Sequence, residues 1–204
     1  MAIAVTAAPR AAARPSARRR GAPRRVLARC TAGNVAVEFA LVLPVLLLMM
    51  LGSAEMARFV ILHQKLDRVA TTISDLVSRA ETISESQIDD IFNAAGEVAE
   101  PFDLANLGVV VVSSITNADG EGAVIAWQRS GGGSYSAASE LGVAGDEPNL
   151  PDGFVVREGE TAIIAEVFYD FSPFLSELIV DPQVIHRSAH HRPRLGTLEE
   201  VDAG

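Results

Sequence analysis

The chain has 204 residues, a formal net charge of −9 and a sequence in which 49% of the residues are hydrophobic. This length provides for one modest folded domain beside a membrane segment. A single cysteine, Cys30, excludes a disulfide framework within the chain.

The charge is divided unevenly between the N-terminus and the rest. Residues 1–33 hold eight arginines and no acidic residue, so the remainder holds nine basic and all 26 acidic residues, a net charge of −17. This leader consists mainly of Ala, Arg and Pro without apolar periodicity, and we predict that it is disordered. A nucleic-acid-binding arm and a mitochondrial transit peptide share this composition. Because an apolar run follows directly, we predict instead a cytoplasmic N-terminus, an acidic remainder outside, and no nucleic-acid partner.

The apolar run from Phe39 to Ala54 contains no charged residue. As a helix these residues would cover about 24 Å at 1.5 Å per residue, against a hydrocarbon layer of about 30 Å. We therefore predict a transmembrane segment at residues 34–57 with the lipid bilayer as a partner. Two alternatives are a buried core helix, which would be striped rather than apolar all round, and the apolar part of a cleaved signal peptide.

Pro44 lies inside this segment. Proline removes one helical hydrogen bond and its ring clashes with the preceding turn, so we predict a helix kink near Val42 and Leu43. The kink is either a flexible point that helps the helix to leave the bilayer or an ordinary feature of a membrane helix.

Residues 58–83 are predicted to continue the helix in amphipathic form, with helical structure from Asn34 to Ala80. Apolar side chains recur at alternating spacings of three and four residues. This seam consists of Phe59, Leu62, Leu66, Val69, Ile73, Leu76, Ala80 and Ile83. We predict that it packs on the protein's own sheet, with self-assembly as a coiled coil as the alternative. Continuity of this pattern with the apolar run favours a retained anchor over a cleaved signal peptide.

Residues 84–194 are predicted to form an extracytoplasmic head, so that the fold is α+β, with the long helix packed on a small antiparallel sheet of about four strands. Ser84 and Gln87 fit a capping box that opens a second helix, which Pro101 closes. Apolar and β-branched segments predict the strands. These are residues 107–116, 123–129, 161–171 and 183–190, and in the third strand Ile163, Ala165, Val167, Tyr169 and Phe171 are predicted to face the core.

Two segments of the head lack such patterns. Residues 130–151, rich in Gly and Ser, are predicted to form an exposed loop, and residues 195–204 a frayed, flexible tail. Gly131 to Gly133 is not followed by the Lys and Ser or Thr of a phosphate-binding loop.

No constellation of residues predicts catalysis, a metal site or a cofactor. His186 and His190 would share a strand face about 13 Å apart at about 3.3 Å per residue, too far to bind one ion. We therefore predict that they are exposed polar residues and that the protein is not an enzyme.

Glu38 is the residue that most requires a functional explanation. A carboxylate at the bilayer centre costs about 2.5–3.5 kcal/mol, and charges inside membranes are candidates for functional roles. The simpler interpretation is a glutamate at the membrane boundary, where the cost is smaller.

The residues around Glu38 carry a resemblance to a known family. Gly33-Asn34-Val35-Ala36-Val37-Glu38-Phe39 resembles the processing site of type IV pilin-like proteins, a Gly followed by four residues, a Glu and an aromatic residue. The longer run 33–58, with Leu43-Pro44 and Glu55, is similar to the TadE/TadG-like family of Tad (tight adherence) pseudopilins. Residues 169–173 and 187–194 resemble, more weakly, the C-terminal endings of such proteins.

The resemblance implies a non-enzymatic pseudopilin that a prepilin peptidase cuts between Gly33 and Asn34. Glu38 and Phe39 would then set the register of packed subunits, with Glu38 opposite the new amine of Asn34. Other pilins or pseudopilins and Tad inner-membrane assembly proteins would be its partners, in the inner membrane or in a surface pilus. The alternative is an uncleaved, single-pass membrane-anchored binding domain; a soluble enzyme released after Ala54 has no support among the residues.

Overall fold

The computed structural model describes residues 31–151, 153–174 and 181–202, so most of the basic leader lies outside the described residues. Three helices and four strands follow one another along the chain. They are α1 (Thr31–Ser78), α2 (Glu85–Ala99), α3 (Leu104–Leu107), β1 (Gly108–Thr116), β2 (Val124–Gly131), β3 (Thr161–Phe171) and β4 (Gln183–His191). The predicted α+β fold, a long apolar helix and a second helix with an antiparallel sheet, is confirmed.

The chain separates into two compact units, Met1–Leu46 and Leu47–Gly204. Within the first unit, α1 begins at Thr31, and every side chain described from Asn34 to Leu46 is exposed. Helical structure continues through Pro44.

The second unit is built on a four-stranded antiparallel sheet with the strand order β2-β1-β3-β4. The two central strands, β1 and β3, are buried along almost their whole length. A register shift between Ser114 and Ile115 interrupts the pairing of β1 with β2. Because both faces of the central strands are buried, this sheet needs a covering layer on each side.

The C-terminal part of α1 covers the first face. Its side chains join the main core with the five core-facing residues predicted for β3, and both predictions are confirmed. The fully or almost fully buried apolar residues of α1 are Leu62, Leu66, Val69, Ala70, Ile73 and Val77. Leu76, predicted to lie in the seam, is 38% exposed, and Val77 takes its place. A straight helix drifts by about 20° per heptad from a strict seven-residue repeat, so over the two heptads after Leu62 the buried face turns by about 40° towards the following residue.

The second face is covered by the segment between β2 and β3, which corrects the prediction of an exposed loop for Leu141 and Pro148, whereas the other residues of 130–151 are exposed or half-buried. Leu141 and Val156 pack there with Ile115, Ile125 and Ile164. The reason is the composition of β3, whose outward positions also carry apolar side chains and would otherwise be left in water.

His186 is part of this second layer, which corrects its prediction as an exposed strand residue. Its ring stacks on Phe168 at 4.6 Å between centroids. Nε2 lies 3.2 Å from the carboxylate of Glu166 and Nδ1 lies 3.2 Å from that of Glu140. Glu166 is 1% exposed and accepts hydrogen bonds from the backbone N–H of Glu140, at 3.0 Å, and from the hydroxyl of Ser139. These contacts join the loop to the sheet.

The capping box of α2 is confirmed, since the Ser84 side chain accepts from the Gln87 N–H and the Gln87 side chain accepts from the Ser84 N–H. An ion pair of 2.6 Å joins Glu85 to Arg129 of β2. The hydrogen bond from Arg129 lowers the pKa of the Glu85 carboxyl below its usual value and raises that of the guanidinium. Both side chains are largely exposed, so the pair contributes little to stability.

The prediction of a frayed tail is wrong for the described residues up to Asp202. Leu198 is 4% exposed, and its carbonyl accepts hydrogen bonds of 2.8 Å from the Trp127 indole N–H and the Ser114 hydroxyl. The Asp202 N–H donates to the carbonyl of Ile83 at 2.8 Å. The segment is ordered because it satisfies buried donors that the sheet itself leaves unpaired.

We predict that Leu198→Ala destabilises the full chain by about 2–4 kcal/mol, since a buried leucine is truncated in the core. Urea unfolding in detergent, followed by Trp127 fluorescence, measures the effect. The matched control Leu195→Ala, where the leucine is 57% exposed, should change stability by less than about 0.5 kcal/mol. Equal effects of the two substitutions would contradict the packing of the tail.

Candidate functional site

The predicted processing site lies at the start of α1. Gly33 and Asn34 fall in the first turn of the helix, which begins at Thr31. Cleavage between Gly33 and Asn34 would therefore require local unwinding of the helix at these two residues.

The predicted assembly residues, Glu38 and Phe39, lie one turn further on, and both are exposed; Phe39 is 59% exposed. Glu38 follows Asn34 by four residues, a spacing that puts both on one helix face with about 5–6 Å between their Cβ atoms. An amine on Asn34 would thus be within reach of the Glu38 carboxylate of the same chain. No ion pair within the described part of the chain involves Glu38.

Pro44 is placed inside α1, six residues after Glu38. Its ring nitrogen carries no hydrogen, so the carbonyl of Ala40 loses its partner in the helix. The kink near Val42 and Leu43 stays a prediction.

Large apolar side chains on this part of α1 are exposed all round the helix. They include Val35, Leu41, Leu46, Met49 and Met50, which are 50–73% exposed. By length and composition, one helix within the described residues is suited to cross a membrane, and none of its most apolar window is buried. The alternative of a buried core helix is therefore wrong, and the apolar helix suggests a single-pass membrane anchor.

The first charges after the apolar run, Glu55 and Arg58, form a cluster that the sequence did not reveal. Glu55 is 4% exposed. Its carboxylate accepts a hydrogen bond of 3.2 Å from the Phe174 N–H and lies 3.4 Å from Nη1 of Arg58. Nη1 also donates to the carbonyl of Ser172 at 3.1 Å. This cluster ties the chain that follows β3 to α1.

The Arg58 guanidinium carbon also lies over two aromatic rings, 5.2 Å from the Phe171 centroid and 4.5 Å from that of Phe174. Such cation–π contacts contribute about 0.5–1 kcal/mol each at exposed sites. The sequence signal for this cluster was the spacing of Glu55 and Arg58, three residues apart directly after the apolar run. Their partners, Phe174 and Ser172, could not be predicted because they lie more than a hundred residues further along the chain.

A groove of about 590 Å³ opens beside this cluster. Its apolar lining comes from Ala57 and Ile61 of α1, Leu107 of α3, and Phe174. The Tyr169 ring forms part of the wall, and burial raises the pKa of its phenol above the usual value. The mostly apolar lining is suited to an apolar partner.

Within residues 31–151, 153–174 and 181–202, no group of three or more His, Cys, Asp or Glu side chains is placed to hold a metal ion. The nearest approach to such a group, His186 with Glu140 and Glu166, is a set of contacts between the loop and the sheet.

Residues 33–74 match the family model described as TadE-like protein. The match begins at Gly33, includes Glu38, Pro44 and the Glu55–Arg58 pair, and ends in the part of α1 that packs on the sheet. It confirms the resemblance of the N-terminal segment, whereas the resemblance of residues 169–173 and 187–194 stays a prediction. Neither the curated proteins nor the solved structures gave a match.

We predict that Glu55→Ala frees the segment that follows β3. A hydrogen bond to a charged group contributes about 1.5–3 kcal/mol, so the Phe174 amide of the full chain should exchange its hydrogen at least about tenfold faster. Mass-spectrometric or NMR hydrogen exchange measures this rate. In the control Glu97→Ala, which truncates an exposed acid of α2, exchange at Phe174 should be unchanged; an unchanged rate in Glu55→Ala would contradict the assignment.

Proposed function

We propose that the protein is a non-enzymatic pseudopilin that takes part in assembly of a Tad-type pilus and its secretion system. The match of residues 33–74 to the TadE-like family suggests a function related to a Tad pilus. The observation that carries the proposal is the arrangement at the start of α1, where Gly33 lies in the first turn of a long apolar helix and Glu38 is the single carboxylate before Glu55.

In this proposal a prepilin peptidase of the membrane cuts between Gly33 and Asn34. Glycine has no Cβ, so the unwound peptide could approach the catalytic groups of the peptidase closely. The cut would remove the eight arginines of residues 1–33 and create a positive amine on Asn34.

Glu38 is then the counter-charge of that amine, on the same chain or on a neighbouring subunit. A carboxylate paired in a medium of low dielectric constant costs far less than a lone one. The pair would set the axial register of packed subunits, with Phe39 beside it. Its partners would be other pilins or pseudopilins and the Tad proteins of the inner membrane.

The topology follows from charge. The basic leader would remain in the cytoplasm, α1 would cross the inner membrane once, and the acidic head would lie on the outer side. The many arginines before the apolar run and the net charge of −17 after residue 33 support this orientation.

We predict that Gly33→Ala prevents maturation, because the added methyl group obstructs the close approach of the peptide. The intact mass of protein extracted from membranes, with and without a co-expressed prepilin peptidase, measures the cut. The control Gly52→Ala changes a glycine of the same helix away from the site and should leave cutting intact. A mature protein that begins anywhere other than Asn34 would contradict the proposed site.

We predict that Glu38→Ala leaves cutting largely intact and impairs assembly, because the amine of Asn34 loses its counter-charge. The amount of mature protein in sheared surface filaments, together with the number of filaments, measures assembly. Glu38→Asp, which keeps the charge, should retain more assembly than Glu38→Ala. Normal filaments in Glu38→Ala would argue against a role of this residue in register.

The second candidate is an uncleaved membrane-anchored domain that binds a ligand outside the cell. The helical structure at Gly33 and Asn34 favours it, since an intact helix resists proteolysis. The same mass measurement separates the candidates, because an uncleaved protein keeps its arginines when the peptidase is present.

A further inference from the structure

One end of the sheet is markedly apolar. Here β1 begins opposite the end of β3, with Gly108 paired to Tyr169, and the turns of α1 that carry Glu55 and Arg58 lie beside them. At the other end of the sheet, β1 ends at Thr116 opposite Thr161, and the following turn carries Asp119 and Glu121. The two ends of the head therefore offer different surfaces.

Three exposed apolar side chains line the groove at this end, and each comes from a different element. Ile61 of α1 is 47% exposed, Leu107 of α3 is 38% exposed, and Phe174 after β3 is 81% exposed. Apolar side chains that converge on one groove from separate elements are typical of an interaction surface rather than of chance exposure.

The groove is continuous with the apolar surface of α1. Met49, Met50, Leu51, Met56 and Val60 are all 42–68% exposed on the turns that lead to Ile61. Ile61 follows the last residue of the apolar run, Ala54, by seven residues, about 10 Å of helix. The polar layer of a bilayer adds about 5–8 Å on each side of the hydrocarbon. When the run of about 24 Å is centred in a hydrocarbon layer of about 30 Å, Ala54 lies about 3 Å inside the edge of that layer. Arg58 then falls about 3 Å and Ile61 about 7–8 Å beyond the edge, within the polar layer.

The two charged side chains at this level, Glu55 and Arg58, are arranged in a way that suits a membrane interface. The carboxylate of Glu55 is turned into the protein and covered by the chain at Phe174. The Arg58 side chain lies over aromatic rings and is 28% exposed. An arginine whose apolar stem lies along an apolar surface while its charged end reaches polar groups is characteristic of membrane boundaries.

We propose that this groove contacts the phospholipid interface of the bilayer, with Phe174 and Arg58 nearest the acyl chains and Ile61 and Leu107 towards the headgroups. The inference rests on the membrane anchor of the proposed function. Asp103 at the rim of the groove disfavours a densely anionic surface, so a zwitterionic bilayer is the occupant. Contact at this end would fix the depth of α1 in the membrane.

The test places a fluorescent probe at the groove in the full chain. Phe174→Trp and Leu107→Trp are reconstituted separately into phosphatidylcholine vesicles whose acyl chains carry bromine in their upper part. Val155→Trp is the matched control, because Val155 is 65% exposed and neighbours Val156, which packs with Ile115 and Ala162 at the opposite end of the sheet. The wild type, with its buried Trp127, gives the background.

We expect bromine to lower the fluorescence of the two groove variants at least about twofold more than that of Val155→Trp, since only the groove lies in the interfacial layer. Quenching equal to that of the control, in protein that floats with the vesicles, would overturn the inference and leave the anchor intact. The tryptophans of the groove variants could also be protected from a water-soluble quencher and yet not be quenched by bromine. This result would overturn the inference, because a second copy of the chain would then cover the groove. Failure of the wild type to float with the vesicles would overturn the anchor and the inference together.

Discussion

The packing of α1 on the sheet is the contact on which the second unit depends. Five large apolar side chains, those of Leu62, Leu66, Val69, Ile73 and Val77, are almost completely buried there. Burial of each contributes about 1.5–3 kcal/mol, so their sum is comparable with the whole net stability of a domain, about 5–15 kcal/mol. The C-terminal part of α1 therefore belongs to the core of the second unit and supplies one wall of it.

The composition of α1 changes where its surroundings change. From Phe39 to Ala54 the helix carries no charge and its large apolar side chains are exposed, as a lipid surrounding would require. After Arg58 the apolar side chains keep to one face, as packing against a sheet requires. The two charges between these parts are held by the protein itself, Glu55 through the N–H of Phe174 and Arg58 through the carbonyl of Ser172. Neither charge is left without a partner at the boundary.

Local patterns in the sequence were sufficient for most of the architecture. The bounds of β3, the capping box of α2 and the core-facing side of β3 agree with the structure, because alternation and capping depend on neighbours in sequence. The cover of the second face by Leu141 and Val156, the burial of Leu198 and the contacts of His186 were not predicted. Each of these contacts depends on partners distant in sequence. In residues 130–151 the Gly- and Ser-rich composition also predicted a loop, although Leu141 packs in the core. A site at residues 33–39 was predicted from a local motif, whereas the Glu55–Arg58 cluster depends on Ser172 and Phe174.

The position of Leu198 has a consequence for the order of events during synthesis. All four strands leave the ribosome before Leu198, whose carbonyl accepts hydrogen bonds from the Trp127 indole and the Ser114 hydroxyl. If α1 halts in the membrane as an anchor, residues 79–197 must cross the bilayer while those two donors still face water. Leu198 then reaches the head only after translocation of the strands that carry Trp127 and Ser114.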